Sequence, residues 1–559
     1  MKRNLIKLAS NEYDLLVIGG GIYGSCVAWD ASLRGLSVAL VEKGDFGHAT
    51  SFNTLRIIHG GFRYLQSLAV LKARQSFYEQ MVFMRIAPHL LHPLPVLVPA
   101  YRHLMQGKEA LSFALKIYDK LVCRASHEEY QPRIPRGRTV TREECLEAFP
   151  DIETKGLTGG IIFYDCQIPN SERLIISIVK SAVEYGADFA NYVEVQGFLK
   201  TKSRIEGVKV KDLITGDEFT VRARFIVNTA GPWLQRILGL LERKDSQNNC
   251  RWLSKAFNLV VKRKFHNDFG LGIYCQAQNH KTSQLLGKRS RYLFITPWNN
   301  YSLIGTEHLP FEDNPDNLSI TEDEMTNFLR EINEACPQAS LGLEDVRFVY
   351  KGCLPTIPTN RGSLHLASKY RIYDHGRDQG LERFLSVSGV KFTEARHVAE
   401  KVVDLVFSKL NKKPLRSRTS VTPVYGGKLQ WFNEFLKQET SRNLYKLDTI
   451  DIERLISNYG SAYTEVLKYL ENGEESESLH SSDLIRKSEI LHAIHEEMAQ
   501  KLGDFVFRRT DLDIGDQINC EDITTCAKIM AQELNWSSGK IKEEVGEVTT
   551  VLSSLNLNG

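Results

Sequence analysis

The residues with the plainest chemical purpose stand near the start of the chain. Gly19, Gly21 and Gly24 follow the spacing G-x-G-x-x-G between two apolar runs, and Glu42 closes the second run. Gly19 permits a tight turn, Gly21 lets backbone approach a pyrophosphate, and Gly24 lets a helix pack closely on a strand. A helix opening at this turn offers phosphates its free N–H groups and the positive end of its dipole. Glu42 stands where a carboxylate accepts both hydroxyls of an adenosine ribose, and its charge repels a 2′-phosphate, which argues against NADP. The alternative, a glycine-rich turn that binds nothing, is disfavoured by the strand before it and the helix after it.

Other reactive types are scattered. The ten cysteines form no C-x-x-C pair, so neither structural zinc nor thioredoxin-like chemistry is expected. His492 and His495 lie one helical turn apart without a third ligand, and they read as a solvated helix face. No metal site is expected. G-x-S-x-G and H-E-x-x-H are both absent from the sequence, so hydrolase chemistry has no support.

These residues need elements to hold them. Residues 13–18 form a continuous apolar run of strand length, 25–34 carry helical periodicity, and 36–42 form a second apolar strand, which together make a βαβ unit. Later segments return to this layer: a helix over 171–186, a strand through 192–195, and a buried strand 224–228 ending at Gly231. Residues 204–222 alternate like antiparallel strands about Thr215-Gly216-Asp217. From 252 to 350 the pattern mixes strands near 256–263, 291–296 and 301–305 with a helix near 321–335. Residues 384–391 form a strand into a Gly turn, followed by a helix through 393–409. The stretch 102–123 is amphipathic, read as a helix packed on the core or, more sharply, as a membrane-surface segment.

The chain of 559 residues carries 71 Lys and Arg against 68 Asp and Glu, a formal charge of +3, with 42% hydrophobic residues. That is the composition of an ordinary globular protein, without a basic tract for nucleic acid and without an apolar run long enough to span a bilayer. The basic N-terminus lacks an apolar signal core, so a cytoplasmic location with free thiols is expected.

The motifs carry further. His48-Ala49-Thr50-Ser51, His59-Gly60-Gly61-Phe62-Arg63-Tyr64-Leu65, Asn228-Thr229-Ala230-Gly231-Pro232-Trp233 and Gly389-Val390-Lys391-Phe392-Thr393 stand in chain order. Ile295-Thr296-Pro297-Trp298 with Leu303-Ile304-Gly305-Thr306, and Glu497-Met498-Ala499 with Asp504 and Arg508-Arg509-Thr510, complete the set. In these segments the sequence resembles the FAD-dependent glycerol-3-phosphate dehydrogenases and oxidases, of the D-amino-acid-oxidase-like flavoproteins, over roughly residues 13–520.

The resemblance implies FAD and an α/β + α fold: a Rossmann-like FAD-binding domain, an inserted antiparallel-sheet substrate domain and a C-terminal helical domain. The expected division is 1–100 and 171–250 for FAD, 101–170 as a cap insertion, 251–350 for substrate and 351–411 returning to the FAD domain. A linker over 412–427 then leads to helices over 428–559. Cofactor contacts are implied at Gly19, Gly21, Gly24, Glu42, Lys43, Thr50, Ser51, Thr54, Val193, Ala230, Gly231, Trp233, Gly389, Lys391, Phe392 and Thr393. Val193 is expected to offer main-chain contacts to adenine. The helix starting near Thr393 is expected to aim its N-terminus at the flavin N1/O2 edge.

By the same resemblance the reaction takes a hydride from the carbinol carbon of sn-glycerol 3-phosphate to flavin N5, with quinone or O2 as acceptor. His59, Arg63 and Lys391 are the implied catalytic residues, His59 as base and the two cations on an anionic substrate. Three positions depart from the family pattern. Leu354 stands where a substrate arginine is expected, Asn258 replaces a histidine, and Ser368 or Lys369 falls opposite another arginine. Arg361, Lys369 and Arg371 are candidates to compensate, so Arg63, Asn258, Arg361, Lys369 and Arg371 form the expected substrate set. A flavoenzyme of the same fold oxidising a 2-hydroxy acid or an amine is the competing reading, and a non-catalytic flavin-holding interaction protein is a third. Peripheral contact with the inner face of the membrane and a homodimer complete the expectations.

Overall fold

Leu15, Leu16, Val17 and Ile18 are all buried, as a central parallel strand covered on both faces requires. The structure, a computed structural model, describes residues 1–66, 69–101, 107–125, 134–241, 253–275, 291–358, 364–443, 447–470, 481–510 and 520–553. Around the Leu15–Ile18 strand lies a six-stranded sheet in the order Arg371–Asp374, Phe384–Ser388, Ile226–Asn228, Leu15–Ile18, Val38–Val41, Asp188–Ala190. All its pairings are parallel except the edge strand Arg371–Asp374. The two-residue alternation of a strand divides its faces. Leu15, Val17, Val38 and Leu40 face a core shared with the helices Ile22–Leu33, Ser171–Glu184 and Ala395–Lys409. Leu16, Ile18, Ala39 and Val41 face a second core shared with a four-stranded sheet, whose strands Val193–Thr201, Arg204–Asp212 and Glu218–Ala223 form the expected antiparallel meander.

The large sheet has ten strands and draws on more of the chain than residues 251–350. Ile57–Ile58, His92–Tyr101, Arg138–Val140 and Leu157–Gln167 join Leu253–Val261, Gly270–Cys275, Arg291–Trp298, Tyr301–Phe311, Val346–Pro358 and Leu364–Leu366. The 101–170 stretch thus gives this sheet two strands, Leu157–Gln167 paired with His92–Tyr101 and Arg138–Val140 paired with Leu157–Gln167. The helix Glu322–Ala335 packs on it and starts at a capping box: Thr321 Oγ1 accepts from the Glu324 N–H at 3.3 Å, and the Thr321 N–H donates to Glu324 Oε2 at 3.0 Å.

The amphipathic stretch becomes the helix Lys108–Ala125, with Leu111, Ala114 and Tyr118 buried in the core and Phe113 exposed. Residues 412–427 are packed at their end rather than free: Val424 is buried, its N–H bonded to the Ile86 carbonyl at 2.9 Å. The C-terminal helices share a core with Phe52, Trp298 and Tyr350 of the first two layers. His492 corrects its reading as a solvated residue. It is fully buried, with Nε2 at 3.4 Å from Lys180 Nζ and 3.5 Å from Glu497 Oε1, because its helix turns that face inward.

Candidate active site

A single cavity of about 1170 Å³ runs from Glu42, Val193 and Trp233, past Gly19 and Gly21, to His59 and Lys391. Part of its wall is shaped by absent side chains. Gly19 has φ +101°, and a Cβ there would lie 2.8 Å from the Thr229 carbonyl oxygen. A Cβ on Gly24 would lie 1.9 Å from the Gly19 carbonyl oxygen, which is the close packing of helix and strand that the spacing requires. The Thr229 hydroxyl, placed by the adjacent strand, closes this corner between the carbonyls of Ile18 and Gly19 at 2.9 and 3.0 Å.

The Glu42 carboxylate is held by two amides, accepting from Gly20 N–H at 2.6 Å and Gly44 N–H at 2.8 Å. Each oxygen keeps a second lone pair, so the group can still accept ribose hydroxyls. The Val193 N–H donates to the Glu42 carbonyl at 2.8 Å, so that amide is already engaged. Beside them Lys43 Nζ lies 3.9 Å from the Trp233 ring centroid and 2.6 Å from Asp316 Oδ1, while Trp233 Nε1 donates to the same oxygen at 2.9 Å. Asp316 comes from the sheet domain and had no signal in the sequence.

The loop after the second strand divides its hydroxyls between fold and cavity. Ser51 Oγ accepts from the Ile22 N–H at 3.1 Å, at the N-terminus of the helix Ile22–Leu33, where a phosphate would sit. Thr50 is a pin instead: its hydroxyl donates to the Cys353 carbonyl at 3.0 Å and accepts from the Cys353 N–H at 3.2 Å. Thr54 accepts from the Arg56 N–H at 3.1 Å and lies 3.2 Å from Ser171 Oγ. Ala230, Gly231, Gly389, Phe392 and Thr393 all line the cavity. Gly231 has φ +53° and nothing within 4 Å of its missing Cβ, leaving its backbone open to the space. A cradle of bare backbone, a helix N-terminus and a ribose carboxylate, in a cavity this long, fits FAD.

At the far end the strand Ile57–Ile58 pairs with Leu157–Gln167, Ile58 opposite Cys166, so the next step of the register brings His59 beside Asp165. His59 Nδ1 is 2.9 Å from Asp165 Oδ2. Asp165 is buried, and its other oxygen accepts from the Gly60 N–H at 2.6 Å. A carboxylate facing Nδ1 calls for the proton on that nitrogen and leaves Nε2 as the basic atom. Asp165 was missed in the sequence, although a carboxylate within the apolar strand 161–166 is a usable signal.

Lys391 lines the same end, its ammonium bonded to the Tyr64 hydroxyl and to Glu394 Oε1 at 3.2 Å. It lies 4.4 Å from the Tyr64 ring centroid, and Lys72, also unforeseen, lies 5.9 Å from the same ring. Tyr23 fixes the turn before Lys391: its hydroxyl donates to the Lys391 carbonyl at 2.7 Å and accepts from the N–H groups of Val390 and Lys391, each at 3.2 Å. A Cβ on Gly389 would strike the Tyr23 ring at 2.2 Å.

The substrate set is only partly assembled. Asn258 faces the cavity with its carboxamide oxygen accepting from the Thr306 hydroxyl at 2.7 Å, and Leu354 and Ser368 line the wall. Lys369, between two short strands, and Arg371, which opens the strand Arg371–Asp374, are both exposed and are not among the residues that line the cavity. Arg361 and the Arg63 side chain lie outside the described residues. A cation not foreseen, Arg291, lines the cavity but is paired with Glu307 and with Glu331 at 2.9 Å.

Two family models match the chain: FAD dependent oxidoreductase over residues 14–404, and C-terminal domain of alpha-glycerophosphate oxidase over residues 417–541. Among curated proteins, a glycerol-3-phosphate dehydrogenase of Synechocystis sp. is 31% identical over 521 residues, 91% of this chain and 90% of that one. An aerobic glycerol-3-phosphate dehydrogenase of Staphylococcus aureus is 30% identical, covering 98% of this chain and 96% of its own. The fold is shared with the glycerol-3-phosphate dehydrogenase from Bacillus halodurans complexed with FAD, at TM-score 0.75 and 23% identity over 99% of this chain and 97% of that one. An FAD cradle, a His–Asp pair at its far end and a helical C-terminal module are thus found together in a chain that belongs to the FAD-dependent oxidoreductases of the glycerol-3-phosphate dehydrogenase and oxidase family.

Proposed function

We propose that this flavoenzyme oxidises the secondary alcohol of sn-glycerol 3-phosphate to the ketone of dihydroxyacetone phosphate and passes the electrons to quinone or O2. The observation that carries the reading is the Asp165–His59 pair at the end of the FAD cradle. His59 Nε2 takes the hydroxyl proton, and Asp165 holds the ring and balances the imidazolium charge that results. Bound FAD supplies the acceptor for the two electrons of the C–H bond. Lys391, steadied by Tyr64 and Glu394, and Lys72, also near the Tyr64 ring, bring positive charge to the substrate end. Arg63 is assigned to the same anion by the family resemblance.

Leu354 and Asn258 support a second reading, in which the substrate is a 2-hydroxy acid or an amine. A leucine cannot hold a phosphate, Asn258 is uncharged, and Arg291 is balanced by two glutamates. Anaerobic stopped-flow bleaching of the flavin decides between them. Rapid bleaching by glycerol 3-phosphate supports the first, and bleaching only by amines or 2-hydroxy acids rejects it.

Two further proposals concern the whole chain. No helix among the described residues is long and apolar enough to cross a membrane. Weak peripheral contact through outward side chains such as Phe113 and Leu71 is proposed instead, and failure to sediment with anionic liposomes rejects it. Homodimer formation is proposed as well, and a monomer mass by light scattering rejects it.

A further inference from the structure

Behind the adenosine end of the cradle lies a buried cluster that the chemistry does not use. Asp45 follows the Glu42–Gly44 turn, does not itself face the cavity, and is fully buried. Two arginines of the C-terminal module converge on it. Arg508 Nε lies 2.7 Å from Asp45 Oδ2, and Arg509 donates to both oxygens at 2.7 and 2.8 Å. Asn191 Nδ2 donates to the same carboxylate at 3.1 Å, and Arg508 also reaches Asp504 Oδ1 at 2.6 Å. Burial pushes the Asp45 carboxyl up, but the charges of Arg509 and Arg508 outweigh it and hold the group well below the usual carboxylate range.

The backbone around Asp45 is the wall of the adenosine site. Its carbonyl is 2.9 Å from His48 Nδ1, the Gly44 N–H donates to Glu42, and the Tyr192 N–H donates to the Gly44 carbonyl at 3.0 Å. Tyr192 in turn bonds Asp504 Oδ1 through its hydroxyl at 2.6 Å. Both strand ends that shape this wall, 42–48 and 191–193, are thus tied to one short stretch of the C-terminal module.

We propose that the C-terminal module is a strut for cofactor retention, in which Arg508 and Arg509 act as positioning residues, through Asp45, on the segment that carries Glu42 and His48. The inference rests on the FAD assignment and goes beyond it, because nothing in that assignment requires residues 481–510. Without the guanidiniums the Asp45 turn loses its fixed position, and the Glu42 carboxylate and His48 move with it. The flavin end, held separately by Tyr23 and Asp165, keeps its geometry.

The test uses the full chain, stripped of FAD and titrated with FAD and with ADP as a probe of the adenosine end alone. Asp45→Asn, Arg508→Met and Arg509→Met are each expected to raise the dissociation constants of FAD and ADP by the same factor, tenfold or more. At saturating FAD, kcat stays within about twofold of the parent, a split that general destabilisation would not produce. Asp45→Asn is nearly isosteric and decides the matter if the arginine variants do not fold. FAD and ADP affinities within twofold of the parent overturn the strut. The parent is titrated alongside, so its own FAD binding keeps the cofactor assignment separate from that result.

Discussion

His59 and Asp165 make the sharpest prediction at the residue scale. The Gly60 N–H fixes one Asp165 oxygen, so in Asp165→Asn the amide oxygen stays with Gly60 and the NH2 group turns to His59 Nδ1. A donor facing Nδ1 moves the ring proton to Nε2 and removes the base. Flavin reduction by substrate is expected to fall by about 10²–10⁴-fold, with FAD content unchanged, as read by anaerobic stopped flow. An unchanged rate would remove His59 from the role of base. A second residue bears on pH. His89 is fully buried, and burial first, then the charge of Arg173, pushes its pKa down to about 3. The unfolded chain protonates this group near its ordinary value of about 6.5 while the folded one does not, so its contribution is intact above that pH and is lost as pH falls towards 3. Between pH 6.5 and 5 the loss is about 2 kcal/mol. Urea unfolding of parent and His89→Phe at pH 5 and 7.5 is expected to show a shallower acid loss in the variant, and equal slopes refute the assignment.

At the scale of elements, the cradle depends on how closely a helix, a strand and a turn approach. Gly24→Ala puts a methyl 1.9 Å from the Gly19 carbonyl oxygen, backbone that cannot move aside without parting the helix Ile22–Leu33 from its strand. The purified variant is expected to be colourless and to resist reconstitution with FAD, and a yellow protein with normal absorbance would contradict this. Tyr23→Phe is milder. It leaves the N–H groups of Val390 and Lys391 without the oxygen they share, at a cost of roughly 1–3 kcal/mol where water cannot replace it. The expected outcome is slower flavin reduction and weaker FAD binding together, because the turn carries Lys391 and adjoins the cofactor. A change in thermal stability alone would make Tyr23 a packing residue only.

The whole molecule is held by buried ion pairs that join layers far apart in sequence. Arg173, on a helix of the FAD domain, grips Glu497 of the C-terminal module with two bonds of 2.8 and 3.0 Å, and its guanidinium lies 4.3 Å from the Tyr459 ring centroid. Removing one partner strands a buried charge, so Arg173→Met is expected to lose roughly 3–5 kcal/mol in urea unfolding. A loss under about 1 kcal/mol, the range of an exposed pair, would mean that the two modules do not rely on this contact.

The βαβ unit, the antiparallel meander about Thr215-Gly216-Asp217 and the helix near 321–335 were legible from the chain alone, because each is set by neighbours in sequence: a glycine spacing, an alternation, a helical pattern. The family motifs likewise point to His59 and Lys391. The partners of those residues were not legible. Asp165 reaches His59 by strand pairing across 106 positions, Tyr23 meets Lys391 across 368, and Asp45 meets Arg509 across 464. The exposure of Lys369 and Arg371, the burial of His492 and the size of the ten-stranded sheet belong to the same class. Local spacing determined which groups could do chemistry; long-range packing alone decided which atoms face one another, since periodicity records the face an element buries and not what is buried against it.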